Sequence, residues 1–241
     1  MSLIEALVHK AFILERKHIF NNLPEKIFLV NHGETEANLN ESLSKDIPEY
    51  KIKLTKKGED QALEVSKKLQ KLIKPMDSLK FYVSSYLRAL QTFDVIKKDF
   101  HNNKYKFISQ IEPLLREQEF GMMRLFFKEE KEKRKLIGKY YYRGKEGESG
   151  SDVYRRVERF KRKLIKQAEY YPQKYNNVVL ITHACWFRVF TLNFLNLSID
   201  AYHHLIRPEK CAIWIFEKSK KFDPVLRNVY EVKSNIEYYK F

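Results

Sequence analysis

The chain has 241 residues, 44% of them hydrophobic, 14% aromatic and 32% charged, a balance that excludes a disordered chain and is long enough for one sizeable core. Lys and Arg number 46 against 31 Asp and Glu, giving +15. The lysines are interspersed with acids, so the charge implies no specific nucleic-acid binding, only a modest attraction for phosphorylated small molecules.

No Gly/Ser/Pro-rich linker divides the chain, so a single domain over 1–241 is expected, with a helical extension at 1–24 and a tail at 219–241. No apolar run reaches the ~18 residues of a membrane span. The N-terminus, with acid and base inside its apolar stretch, makes a poor signal peptide, and a cytoplasmic protein with no membrane partner is expected. Cys185 and Cys211 lie in the apolar settings "HACWF" and "KCAIWIF", which reads as buried thiols rather than a disulfide or a metal site.

In chain order, Leu3, Ile4, Leu7, Ala11 and Leu14 recur at helical spacing and predict an amphipathic helix over 3–19. It is expected to pack on the domain, although this extension and the tail are also the segments available for a homodimer contact. "KIFLV" (26–30) is a short run rich in branched residues, a buried strand ending at Asn31 and His32. "LTKKGEDQALEVSKKLQKLI" (54–73) begins with a capping Thr55 and repeats apolar positions at Ala62, Val65, Leu69 and Leu72, so a helix follows. "KFYVSS" (80–85) is the next strand and "YLRALQTFDVIKKDF" the next helix; "KFISQIEPLL" (106–115) reads as strand and loop, with Pro113 ending the ladder. Helical patterns follow at about 124–137 and 150–170, then the strand "NVVLITH" (177–183), an apolar helix from Ala184, and "KCAIWIFEK" (210–218) as the last strand before a polar tail. The alternation predicts a three-layer α/β/α sandwich with a mostly parallel central sheet.

In such sheets functional groups collect beyond the carboxyl ends of strands. His32, "SSYLRA" and His183 fall at those places. Metal-ligand spacings are missing around them, and "SSYLR" lacks the glycines of a strained serine elbow. A phosphate site fits the residue types best. A neutral imidazole can accept a phosphoryl group, and the Arg88 fork suits phosphate geometry. His183 can serve as a second cationic donor, and Glu117 of "LLREQEFG" can protonate a leaving oxygen. Glu119, two residues on, is the competing acid. Arg116 and Arg143 read equally as substrate contacts or as solvated surface.

"LVNHGETEAN", "LTKKGEDQA", "VSSYLRALQT", "PLLREQEFG", "GESGSDVYRRV" and "VVLITHA" stand in the order and spacing of the histidine phosphatase superfamily. The chain resembles that superfamily from about Lys26 to Glu217, and within it a mutase-like branch of phosphatases found in plants, fungi and protists. The resemblance implies a phosphoglycerate mutase-like fold, a small phosphorylated substrate and chemistry with no metal or other cofactor. It also implies a phosphorylated His32, phosphate-binding Arg88 and His183, proton-donating Glu117, and Asn38 and Gly33 holding or approaching the phosphate. Asn31 stands where the family motif has arginine; asparagine keeps a neutral donor but loses the charge. Losing one preorganised donor costs on the order of 10² to 10³ in rate, so slow turnover is expected, or phosphorylated-ligand or protein-partner binding without turnover. Ala184 replaces a usual glycine, where its Cβ would crowd the phosphate or restrict the backbone. Met122 and Met123 are expected to make the pocket wall more apolar.

Overall fold

The computed structural model describes residues 3–40, 42–121, 127–171, 175–223, 225–226 and 229–233. Met122, Met123 and the last part of the tail lie outside the described residues, as do the side chains of Leu3, Ile4 and Leu7. The chain runs through α1 (Leu3–Asn22), β1 (Lys26–Asn31), the short α2 (Glu36–Leu39) and α3 (Leu43–Asp46), a 3-10 turn at Glu49–Lys51 and α4 (Lys56–Leu72). It continues through β2 (Leu79–Val83), α5 (Leu87–Asn102), β3 (Ile108–Ile111), a second 3-10 turn at Pro113–Leu115, α6 (Phe127–Ile137) and α7 (Gly150–Tyr170). It ends with β4 (Asn177–Thr182), α8 (Ala184–Phe194), α9 (Ala201–His204), β5 (Ile213–Lys218) and β6 (Tyr230–Val232).

The strands form one six-stranded sheet in the order β3-β2-β4-β1-β5-β6. β1, β2, β3 and β4 pair in parallel, while β5 and β6 run antiparallel at one side. Side chains alternate across a strand, and in β1, β2 and β4 both faces are buried, so these central strands feed two cores, whereas β3 at the edge is exposed. Ile27 and Leu29 of β1 join Val178 and Leu180 of β4 against Val153, Phe160, Trp186 and Phe190 of α7 and α8. Phe28, Val30, Val179 and Ile181 point the other way, against Val65 and Leu69 of α4 and Phe93 and Ile96 of α5. The result is a helix–sheet–helix sandwich.

Two expectations from the sequence change. The N-terminal helix is anchored by its last turn, where Ile19 and Phe20 are buried, while Leu14 is 58% exposed. Spacing alone placed the packed face one stretch too early, because the described side chains before Ile19 are mostly exposed. The tail is not merely polar. Tyr230–Val232 adds a sixth strand on β5, with Leu226, Val229 and Tyr230 buried.

The turn leading out of β1 is fastened to the start of α4. Thr55 accepts from the Gly58 N–H at 3.0 Å, a helix N-cap, and its own N–H donates to the Glu34 carbonyl at 3.0 Å. A Cβ on Gly58 would lie 2.1 Å from the Glu34 oxygen. Alanine inside a helix ordinarily gains about 1 kcal/mol over glycine, but a clash with fixed backbone costs roughly 1–3 kcal/mol or more. Gly58→Ala is therefore expected to lower the urea unfolding midpoint. An unchanged or raised midpoint would show that the two backbones are not in contact.

Candidate active site

The site is made by strand register. Asn31 of β1 pairs with Thr182 of β4, and Val83 of β2 with Ile181, so the residues that follow, His32, His183 and Ser84, emerge side by side. The His32 N–H donates to the Thr182 carbonyl at 3.1 Å and the Ser84 N–H to the Ile181 carbonyl at 2.9 Å, carrying the pairing one residue past the strands. The two imidazole centroids are 5.1 Å apart.

The hydrogen bonds of His32 fix its tautomer. Its Nδ1 is 2.8 Å from the Gly33 carbonyl, which can only accept, so Nδ1 carries the proton and Nε2 the lone pair. Arg88, in the first turn of α5, donates its Nε–H to that Nε2 at 3.2 Å. The Arg88 Nη1 is held by Glu49, through the backbone oxygen at 2.7 Å and the carboxylate at 3.0 Å. His183 shares a 2.7 Å hydrogen bond between its Nε2 and Ser84 Oγ, and its buried Nδ1 has no hydrogen-bond partner among the described residues.

Glu117 sits at the N-terminus of α8, where helix N–H groups are unpaired. Its Oε1 accepts from the N–H groups of Gln118 at 3.0 Å, Cys185 at 3.2 Å and Trp186 at 3.4 Å. The segment that carries it is fastened by Arg156 of α7, which donates to the carbonyls of Leu114 at 2.9 Å, Arg116 at 2.8 Å and Glu117 at 3.2 Å. Arg156 is itself held by Glu148 at 2.9 and 2.8 Å. The competing acid, Glu119, is turned toward the Tyr86 hydroxyl at 3.4 Å. Arg116 is committed to Glu148 at 2.6 Å and Arg143 to Asp152 at 2.6 Å, so both guanidinium groups have a carboxylate partner within the fold.

An open cleft of about 500 Å³ is lined by Asn31, Asn38, Gln61, Ala184, Arg207, Pro208, Glu209 and Lys210. Asn31 and Ala184 are the chain neighbours of the two histidines. Asn38 accepts from the Thr35 N–H at 3.0 Å through Oδ1, which leaves its amide hydrogens for the cleft. The close approach that Gly33 permits is to the Gly58 carbonyl, 2.4 Å from where a Cβ would stand. Ala184 is the first residue of α8; an alanine is at home in that helical backbone, so the expected restriction on a glycine-like angle does not arise.

Asn31 differs from its expected role. Its Nδ2 donates to the carbonyls of Glu209 at 2.8 Å and Pro208 at 3.2 Å, so the amide hydrogens are spent on that loop. The opposite amide orientation would set oxygen against two carbonyls, so the assignment is chemically fixed. Its Oδ1 is buried without a partner. Asn31 thus presents no donor for a phosphate. Sequence reasoning also missed Arg156 and Gln61, which stand inside "GESGSDVYRRV" and "LTKKGEDQA" without a role of their own, and Arg207 and Lys210, which lie in none of the six motifs. The thiols are free, Cys185 buried and Cys211 half-buried, and burial pushes both up to about 12.

A family model described as histidine phosphatase superfamily (branch 1) matches residues 27–228. The chain belongs to the histidine phosphatase superfamily. It is 32% identical over 207 residues to "Phosphoglycerate mutase-like protein AT74" of Arabidopsis thaliana, covering 81% of this chain and 65% of that protein, so it spans just under two thirds of that relative's length. It is 23% identical to "Broad-range acid phosphatase DET1" of Saccharomyces cerevisiae over 87% of this chain and 90% of that one. The fold matches a mycobacterial glucosyl-3-phosphoglycerate phosphatase with a TM-score of 0.65 at 15% identity, covering 90% of this chain and all of the other (100%).

Burial first, then Lys210 and Arg88, holds His32 well below its ordinary 6.5; burial, then Arg88 and His32, does the same to His183. Depressed histidines contribute stability that is fully present above about pH 6.5 and is lost as pH falls through their folded values. Titration of the imidazole resonances by NMR should give midpoints below 6.5 for both rings, and the urea midpoint should fall on acidification below that pH. A midpoint at or above 6.5 for His32 would remove the case for a neutral, nucleophilic ring.

Proposed function

We propose that the chain is a metal-independent phosphatase that hydrolyses small phosphomonoesters through a phosphohistidine at His32. The observation that carries this reading is the tautomer of His32. Its Nδ1–H bond to the Gly33 carbonyl leaves the Nε2 lone pair as the attacking atom, and Arg88 donates to that same nitrogen. In the first step Nε2 forms a bond to phosphorus as the ester P–O bond breaks, and Glu117 gives a proton to the departing oxygen. In the second, water attacks phosphorus, Glu117 takes a proton from it, and the P–N bond breaks to release inorganic phosphate. Arg88, His183 and the amide of Asn38 hold the phosphoryl oxygens. His183 is neutral when burial and Arg88 dominate, but an anion beside it favours its cationic, donating form. The Gly33–Gly58 approach, with the Thr55 N–H bond to the Glu34 carbonyl, keeps the turn bearing His32 close to α4. The names of the yeast and mycobacterial relatives favour hydrolysis over phosphoryl return to a second hydroxyl.

A second reading, binding of a phosphorylated ligand or protein partner without turnover, is favoured by two contacts. The Asn31 donors are spent on carbonyls, and the Arg88 cation is already paired with Glu49. The two readings separate in one experiment. Turnover of p-nitrophenyl phosphate should be measurable and should fall about 10³-fold or more in His32→Ala, with an acid-labile phosphoryl group trapped on the wild type. Phosphate binding with no turnover would sink the hydrolase and leave the binder.

A further inference from the structure

The loop that leads into β5 is stitched to the start of the His32 turn at four points. Asn31 Nδ2 holds the carbonyls of Pro208 and Glu209, the Asn31 N–H donates to the Ala212 carbonyl at 3.1 Å, and the Cys211 N–H donates to the His32 carbonyl at 3.2 Å. Cys211 takes a left-handed backbone conformation, φ 58°, unusual for a residue with a side chain, to make this turn. Between those contacts stands Lys210, in the wall of the cleft that Asn31 and Ala184 also line. Among the described residues neither Lys210 nor Arg207 has a hydrogen-bond or ion-pair partner, whereas Arg88 has Glu49.

We infer that Lys210 is the phosphoryl-binding cation that replaces the arginine absent from position 31, and that Asn31 is the positioning residue that holds its loop against His32. This rests on the phosphate-site reading above and specifies one of its ligands. A family arginine would bring its charge from the end of β1; here the charge enters from the opposite chain segment, and the residue at position 31 has become the tether. A half-buried ammonium near other cations costs free energy unless something pairs with it. Burial, Arg88 and Arg207 together lower Lys210 to about 8, and Lys210 in turn is the largest charged influence on His32. A phosphate dianion between them would relieve each of these repulsions. A surface lysine serving only solubility would sit outside the cleft and would not affect the nucleophile.

The test uses the full chain, with inorganic phosphate binding followed by calorimetry and p-nitrophenyl phosphate turnover followed in parallel. Lys210→Met is expected to weaken phosphate binding and to lower kcat/KM by thirtyfold or more with an unchanged or higher melting temperature, because an unpaired charge has been removed. Lys210→Arg is expected to keep phosphate affinity within a few fold. Asn31→Arg in the wild type should gain far less than a hundredfold, whereas Asn31→Arg added to Lys210→Met should recover at least tenfold of the loss, since the charge returns by the other route. Phosphate affinity within threefold of wild type in Lys210→Met overturns the inference, as does a loss that Asn31→Arg does not recover. If the wild type binds phosphate but hydrolyses nothing, the hydrolase reading fails while the binding series still decides the role of Lys210.

Discussion

The in-register parallel pairing of β1 with β4 is the constraint on which the molecule depends. Both strands are buried on both faces, so a slip by one residue would exchange the two cores, sending Phe28 and Val30 into the space filled by Ile27 and Leu29. The register is therefore fixed by packing on either side of the sheet, not by the site. Its consequence is chemical: Asn31 opposite Thr182 puts His32 and His183 at the same level. The two imidazoles meet because side-chain packing on both faces of the sheet holds that alignment.

Around that fixed pair, Arg88 arrives on α5 while Glu117 and Lys210 arrive on loops, each held by a side chain whose own role is structural. Arg156, buried in α7, gathers three carbonyls of the Leu114–Glu117 segment and sets the carboxyl of Glu117 at the first turn of α8. Thr182 adds a bond from its hydroxyl to the Leu115 carbonyl at 2.8 Å, tying the same segment to β4. Asn31 does the equivalent for the loop before β5. Preorganisation of this kind lets donors and acceptors stabilise developing charge without first being ordered.

The parts legible in the sequence were those with local signals. The strands announced themselves by runs of branched residues, α4 by its period and by Thr55, and the histidines by their place just after strands. What escaped was set by distant partners. Arg156 looked like one more arginine on a basic helix, because the carbonyl it holds at Leu114 lies 42 residues earlier in the chain. Tyr230–Val232 is too short for alternation to register, and its place is decided by the edge of β5. Asn31 was read as a weakened phosphate ligand because its true partner, the Glu209 carbonyl, is 178 residues away.

The charges of the site point to a division of labour that motif comparison would miss. Arg88 donates to the lone pair of His32 and is itself held in place by Glu49. Among the described residues Lys210 and Arg207 form no ion pair, and both lower the proton affinity of His32. Lys210 is half-buried, and an unbalanced charge in that position costs free energy unless an anion pairs with it. On the proposed role of Lys210, the phosphoryl oxygens would lie toward the loop before β5, in the cleft that Lys210 and Asn31 line. On the same proposal the leaving oxygen would face Glu117, whose carboxyl is held at the first turn of α8.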